Sequence, residues 1–336
     1  MTGNHASAGQ PGVSILILRQ LVQLGRSHGL EADKLLAESG LSEEWLLQTE
    51  GWVAADCVER LVAQGQARIG NPLLGLLSAP QVNLSMLGVL GYVTQTSSTV
   101  QGLIESTTRF ERLLSDIGTT RLCHQPGMAL WQWECAFVDA EVRRHAVECV
   151  LGCWANMLRL ARRPAQRPLL GVHFRHARPE GVAAHAYERF FGCPVHFGQG
   201  CNALLLAPFA LALPLVLADP ALHRALEEHA RQQLEARRRE ASLVEAVRAL
   251  LLQELSQGIS PVRERVAGQL GISARSLHRK LEAANHSFRG LVDEVRLTLA
   301  QDTLRESALP VAQVAQQLGF QESQSFIRWF KRVQGV

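Results

Sequence analysis

Near the C-terminus of this 336-residue chain, two short stretches hold side chains suited to chemistry on a large polyanion. Arg275, Ser276, His278 and Arg279 cluster in the first, and Gln324, Ser325, Ile327 and Arg328 in the second. If each stretch is a helix, Leu277 and Leu281 in one and Phe326 and Phe330 in the other face inward, which leaves the named residues on the outer face. Arg275 and Arg279 lie one helical turn apart, and a guanidinium matches the O6/N7 edge of guanine. Gln324 matches adenine, and Ile327 can meet a thymine methyl. Ser273, Lys280, Ser323, Lys331 and Arg332 are the corresponding candidates for phosphate contacts. Arg279 suits a phosphate as well as a base, and for every one of these side chains solvated surface is the plain alternative.

A repeat positions these residues. Val266-Ala267-Gly268-Gln269-Leu270-Gly271-Ile272 recurs as Val314-Ala315-Gln316-Gln317-Leu318-Gly319-Phe320, an offset of 48 residues. The shared V-A-x-x-L-G-Φ pattern has the residue types of a helix-turn-helix. Alanine admits a second helix closely, glycine takes the positive φ of a tight turn, and the flanking apolar residues clamp the pair. Ser273 and Ser323 are then expected to cap the second helix of each unit. From the glycine to the first apolar anchor is six residues in one copy (Gly271 to Leu277) and seven in the other (Gly319 to Phe326), so the second turn is longer by one residue. Between the copies, Leu291, Val292, Val295 and Leu299 carry helical spacing ahead of Pro310, which predicts one helix from Phe288 to about Glu306. Such a helix is about 27 Å long, comparable with the roughly 34 Å between successive major grooves.

Other clusters compete with this one. His145, Cys149 and Cys153 recur every fourth residue on one helix face, a spacing open to a thiolate–imidazole metal or redox site and also to ordinary buried small residues. Trp131 and Trp133 alternate onto one face of a strand, as pocket lining or as core. His173 and His176, three apart on an expected strand, point to opposite faces and do not share an ion easily. The common hydrolase, P-loop and zinc-protease signatures are absent, so no catalytic residue is nominated.

The rest of the chain reads as α+β. Helical spacing dominates from Ser14 to about Ile117, followed by two alternating strands about Pro126-Gly127 and a helix from about Ala140 to Leu160 closed by Arg162-Arg163-Pro164. A strand through Val172, a helix from Val182 to Phe190 and strands at Pro194–Phe197 and Ala203–Ala207 complete the region. Asn202 to Ala218 holds 17 uncharged residues, short of a membrane span and broken by Pro208 and Pro214; a core strand running into a bend is expected. Asp219-Pro220 opens a further helix through Glu240, with a domain boundary at about residues 236–242.

With 47% hydrophobic and 19% charged residues, composition excludes extended disorder, collagen-like repeats and a disulfide miniprotein. Seven cysteines without a C-x-x-C pair indicate a reducing compartment, and the residues up to Gly12 carry no secretory signal, so a cytoplasmic location is expected. The net charge of +3 names no partner until it is divided. Residues 1–241 hold 22 basic and 22 acidic side chains, whereas 242–336 hold 12 and 9, so the excess lies entirely in the repeat-bearing end.

Residues 242–336 resemble the DNA-binding region of the AraC/XylS family of bacterial transcription regulators, through VAGQLGISARSLHRKL and VAQQLGFQESQSFIRWFKR. Residues 172–218 resemble, more weakly, the arabinose-binding-type N-terminal effector domain of longer family members. The resemblance implies an α+β effector-sensing and oligomerisation domain (1–240) followed by an all-α double helix-turn-helix domain (242–336) whose units are joined by a long helix. It further implies an effector-responsive, sequence-specific regulator, an activator more often than a repressor. The implied partners are double-stranded DNA, RNA polymerase, an unidentified small-molecule effector and a second copy of the chain, with no other cofactor, no membrane and no enzymatic activity. The family continues into a tail helix where this chain ends at Gly335-Val336, which gives the expectation of a truncated C-terminus. The rival reading is an N-terminal metal or redox sensor, or an enzyme, fused to a DNA-binding module.

Overall fold

The computed structural model describes residues 11–161, 167–284, 286–306, 309–320 and 322–334, in two compact units that divide between Leu234 and Glu235. The Arg162-Arg163-Pro164 helix stop and the Gly335-Val336 terminus lie outside the described residues.

In the first unit, strand β1 (Gly12–Ser14) runs into α1 (Ile15–Ser27), capped by the Ser14 hydroxyl, which accepts from the Leu16 N–H. Helices α2 (Ala32–Glu38) and α3 (Glu44–Leu47) follow, then β2 (Trp52–Ala54) pairs antiparallel with β1 and leads into α4 (Ala55–Ile69). Next come α5 (Leu74–Ser78), α6 (Gly88–Thr96) and α7 (Val100–Phe110). The helical reading of this stretch holds apart from β1 and β2, which at three residues each are too short for alternation to show. Helix α7 illustrates why the pattern works: Thr99 caps it, and Val100, Leu103, Ile104, Thr107 and Phe110 bury one stripe.

Strands β3 (Gly118–Gln125) and β4 (Met128–Cys135) form the expected hairpin, with Gly127 at φ 78° in its turn. Helix α8 (Ala140–Leu158) is capped by the Asp139 carboxylate. Strand β5 (Leu169–His173), helix α9 (Ala184–Phe191), and strands β6 (Val195–His196) and β7 (Ala203–Leu206) complete a five-stranded sheet of order β3-β4-β7-β5-β6. All pairs are antiparallel except β5 with β6. His173 ends β5 while His176 lies beyond it, so the two are not strand neighbours as the sequence pattern suggested.

The apolar run after Asn202 is explained by position. Strand β7 is central and buried along its whole length, and Pro208 to Ala212 then form a 3-10 turn. Among the described residues no helix is long and apolar enough to cross a membrane. Helix α10 (Pro220–Ser256) starts where Asp219 accepts from the Ala221 and Leu222 N–H groups, and the division between the units falls within it.

The second unit continues with α11 (Arg263–Gln269), α12 (Ala274–Ala283), α13 (Phe288–Glu306), α14 (Val311–Gln317) and α15 (Ser323–Gln334). It has two cores. One is aliphatic, built on Val247, Leu251, Val266, Leu277, Leu281 and Leu291. The other joins Ala300, Val314, Ala315 and Leu318 to Phe326 and Trp329.

Candidate functional site

The two repeats fold alike, atom for atom along the turn. In the first, the N–H groups of Leu270, Gly271 and Ile272 donate to the carbonyls of Val266, Gly268 and Ala267. In the second, Leu318, Gly319 and Phe320 donate to Val314, Gln316 and Ala315, the same three bonds 48 residues later. Gly271 and Gly319 adopt φ +68° and +77°, the left-handed conformation in which a β-carbon is strained. Val266, Ala267, Val314 and Ala315 are buried, so the residues common to both copies are those that seal the helix pair.

Downstream of the turn the copies diverge. Ser273 caps α12: its hydroxyl accepts from the Ser276 N–H at 3.1 Å and donates to the Ser276 hydroxyl at 3.0 Å. Ser323 does not cap α15. It is the first helical residue, and the helix starts at the Glu322 carbonyl, which accepts from the Phe326 N–H. The extra residue in the second turn displaces the serine by one position, which overturns the capping role expected for it.

On α12, Arg275, His278, Arg279 and Lys280 are exposed, Ser276 is half-buried beside its cap, and Leu277 and Leu281 are buried. His278 lies 3.2 Å from Glu282 on the same face. On α15, Gln324, Ile327, Arg328, Lys331 and Arg332 are exposed, while Ser323 and Ser325 are half-buried. Arg332 lies 3.5 Å from Asp293, so part of its charge is directed back to α13. The helix faces proposed for contact are therefore presented to solvent in both copies.

Two anchors were missed. Trp329 is buried, and its indole N–H donates to Asp293 at 2.6 Å; Phe330, expected in the core, is half-buried instead. The spacing Phe326, Trp329, Val333 carried that signal, since it marks the inner stripe as well as Phe326 and Phe330 do. Arg296 of α13 lays its guanidinium over Phe320 at 4.7 Å and Trp329 at 5.8 Å. Burial lowers its pKa. In the first copy the matching tether is ionic: Arg265 of α11 grips the buried Glu254 carboxylate with Nε at 2.5 Å and Nη2 at 3.1 Å.

The first unit contains a cavity of about 560 Å³ walled by α1, α4, α5, α6 and α8, with the 79–87 turns and the edge of the sheet. Trp133 is in its wall. Trp131 is not: it is fully buried one layer behind, stacked on Trp154 with centroids 4.0 Å apart and planes at 5°. His145, Cys149 and Cys153 share one face, as their spacing required, and all three reach the cavity. Nδ1 of His145 accepts from the Gly75 N–H at 3.0 Å, which leaves the proton of the neutral ring on Nε2, 2.9 Å from a guanidinium nitrogen of Arg144. Burial, then the Arg144 charge, holds its pKa down at about 4. Cys153 contacts the Ala79 carbonyl at 3.6 Å, and its hydrogen bond with Cys149, then burial, raises its pKa. Among the described residues no group of three His, Cys, Asp or Glu side chains is arranged to hold a metal ion. Gly75 permits this close approach of α5 to α8, because a β-carbon there would lie 2.3 Å from the His145 carbonyl oxygen.

Residues 29–215 match the family model described as the arabinose-binding domain of AraC transcription regulators, and residues 266–336 match a helix-turn-helix domain. The chain is 27% identical over 323 residues to the ornithine utilization regulator of Pseudomonas aeruginosa, covering 96% of this chain and 94% of that protein. It is 26% identical over 287 residues to the HTH-type transcriptional regulator VirS of Mycobacterium tuberculosis, covering 81% and 80%. The crystal structure of transcriptional regulator CdpR from Pseudomonas aeruginosa aligns over 96% of each chain at 20% identity, with a TM-score of 0.46.

Proposed function

Because this chain belongs to the AraC-type family of transcription regulators that carry an arabinose-binding-type N-terminal domain, we propose that α12 and α15 are its two DNA-reading helices. In this reading Arg275, His278, Arg279, Gln324, Ile327 and Arg328, with Ser276 and Ser325 at the helix starts, address base edges. Lys280, Lys331 and Arg332, with Ser273 and Ser323, address phosphates. The observation that carries it is the repeated turn: the same three backbone bonds recur 48 residues apart, and each leads into a helix whose outer face holds exposed arginine. Helix α13, at 19 residues, is about 28 Å long, which suits helices entering successive major grooves.

The first unit is the effector domain of this reading, with the cavity as its ligand site. Transcriptional activation, recruitment of RNA polymerase and homodimer formation complete the proposal. An effector that favours one conformational state shifts the population toward DNA-competent molecules. The family model carries arabinose in its description and one relative carries ornithine in its name; for this chain the effector follows from the cavity, as argued below.

Selection of bound sequences from random duplex DNA with the full chain, repeated over a salt series, tests the DNA reading. A recovered consensus whose affinity falls linearly in log–log against salt supports it. Absence of any consensus, or salt-insensitive binding, overturns it.

A further inference from the structure

The cavity wall is mainly apolar, and several of its polar groups are bonded within the protein. Four of its hydroxyls are already committed: Ser78 donates to the Leu74 carbonyl at 2.6 Å, Thr94 to Leu90 at 3.0 Å, Thr107 to Leu103 at 2.9 Å, and Thr120 to the Glu111 carboxyl. Gln20 closes on the Asn83 backbone, accepting from its N–H at 3.0 Å. Among the described residues no lysine or arginine lines the cavity. Glu111, the one carboxyl of the wall among the described residues, accepts the Thr120 N–H at 2.9 and 3.1 Å, and burial raises its pKa. His145 is held neutral, as described above.

One polar group stands apart. Nε2 of Gln66, on the cavity wall from α4, is buried without a hydrogen-bond partner. A buried donor left unpaired is penalised, and an acceptor on a ligand would relieve that penalty. Most of the remaining wall is apolar, with Leu24, Val62, Leu90, Trp133, Val150 and Met157, and Gln23, Gln81, Asn83, Ser27 and Ser115 add polar groups to it.

We propose that this cavity takes an uncharged, mainly apolar molecule with a carbonyl-type acceptor oxygen, received by the Gln66 carboxamide. The proposal rests on the effector reading above and deepens it. A sugar brings roughly one hydroxyl per carbon into a largely apolar wall, four of whose hydroxyls already donate within the protein, and each hydroxyl left unpaired is penalised. A free amino acid or a carboxylate would enter without a countercharge for its anionic group. The volume of about 560 Å³ falls within the ordinary range for small-molecule pockets, about 300–1,000 Å³.

The test uses the full chain and an uncharged fluorophore, N-phenyl-1-naphthylamine, whose emission rises when it leaves water. Competitors share a ten-carbon skeleton: 2-decanone, decanoate and decylamine, with a free pentose and a basic amino acid alongside. Saturable probe binding is expected, with 2-decanone displacing it at least about tenfold more effectively than either ion, and no displacement by sugar or amino acid. Gln66→Leu should keep probe binding and weaken 2-decanone about tenfold, the value of one hydrogen bond. Cys149→Trp, which fills the cavity from α8, should abolish probe binding. If circular dichroism shows that variant unfolded, protection of Cys149 from alkylation by the probe in the unaltered chain replaces it. Stronger displacement by either ion, the sugar or the amino acid overturns the proposal, as does an unchanged ketone affinity in Gln66→Leu or an unprotected Cys149. DNA binding is measured on the same ligand-free preparation. Its failure would count against the regulator reading alone, since the displacement results do not depend on it.

Discussion

The two helix-turn-helix units share a turn and differ in nearly everything attached to it. The first has an aliphatic core, a serine cap and an ionic tether from Arg265 to Glu254; its outer face is cationic through Arg275, Arg279 and Lys280. The second has an aromatic core of Phe320, Phe326 and Trp329 under the Arg296 guanidinium, lacks the serine cap, and presents Gln324 and Ile327 beside Arg328. The bonds common to both copies fix the angle between helices, where geometry leaves little freedom. The variable residues set stability and base preference, where many solutions satisfy the same backbone. The same turn thus presents a helix in both copies while the chemistry of the presented face differs: guanidinium-rich in one copy, mixed amide, methyl and guanidinium in the other.

The largest expected effect breaks the second unit's own anchor. Trp329→Ala removes a buried indole from the aromatic cluster and its hydrogen bond to Asp293, and should cost about 3–5 kcal/mol in urea unfolding. Trp329→Phe should recover most of that loss if packing dominates and little if the bond to Asp293 does.

Next in size are the outer faces. Arg279→Ala and Arg328→Ala should each weaken specific DNA binding by about 1–3 kcal/mol and relax preference at one position, read from selected sequence pools. Loss of affinity with unchanged preference would assign that arginine to phosphate. The cap asymmetry gives a smaller and sharper contrast. Ser273→Ala should cost about 1 kcal/mol of stability, whereas Ser323→Ala should stay within about 0.5 kcal/mol, both measured by thermal unfolding. Equal costs would contradict the difference in cap geometry. Smallest is Lys280→Ala, which should lower the slope of log affinity against log salt by about 1 with preference intact.

Much of this architecture was legible in the residues. The Asp219-Pro220 start of α10, the β3–β4 hairpin and the 48-residue repeat all rest on local rules, in which capping, turn chemistry and periodicity act within a few residues. Helix α13 was placed the same way, from its apolar stripe and the following Pro310. What failed was decided by one residue or by layering. The shift of the second serine off its cap follows from a single inserted residue, visible in the spacing but not in its consequence. Trp131 and Trp133 alternate identically in sequence, yet Trp154 on α8 covers one, while the other reaches the cavity. His145, Cys149 and Cys153 do share a face, as their spacing required, and packing alone supplied the Gly75 N–H, Arg144 and the Ala79 carbonyl as its neighbours.

By itself, then, the sequence determined the two-part organisation of the function: a charge-neutral α+β region and a basic, duplicated helix-turn-helix end with its outward-facing side chains. These follow from periodicity and charge, which are carried by neighbours along the chain. The cavity was decided only by tertiary structure. Its wall draws Gln66, Thr120 and Cys149 from elements far apart in sequence, and whether each polar group is spent or free depends on partners that only packing supplies.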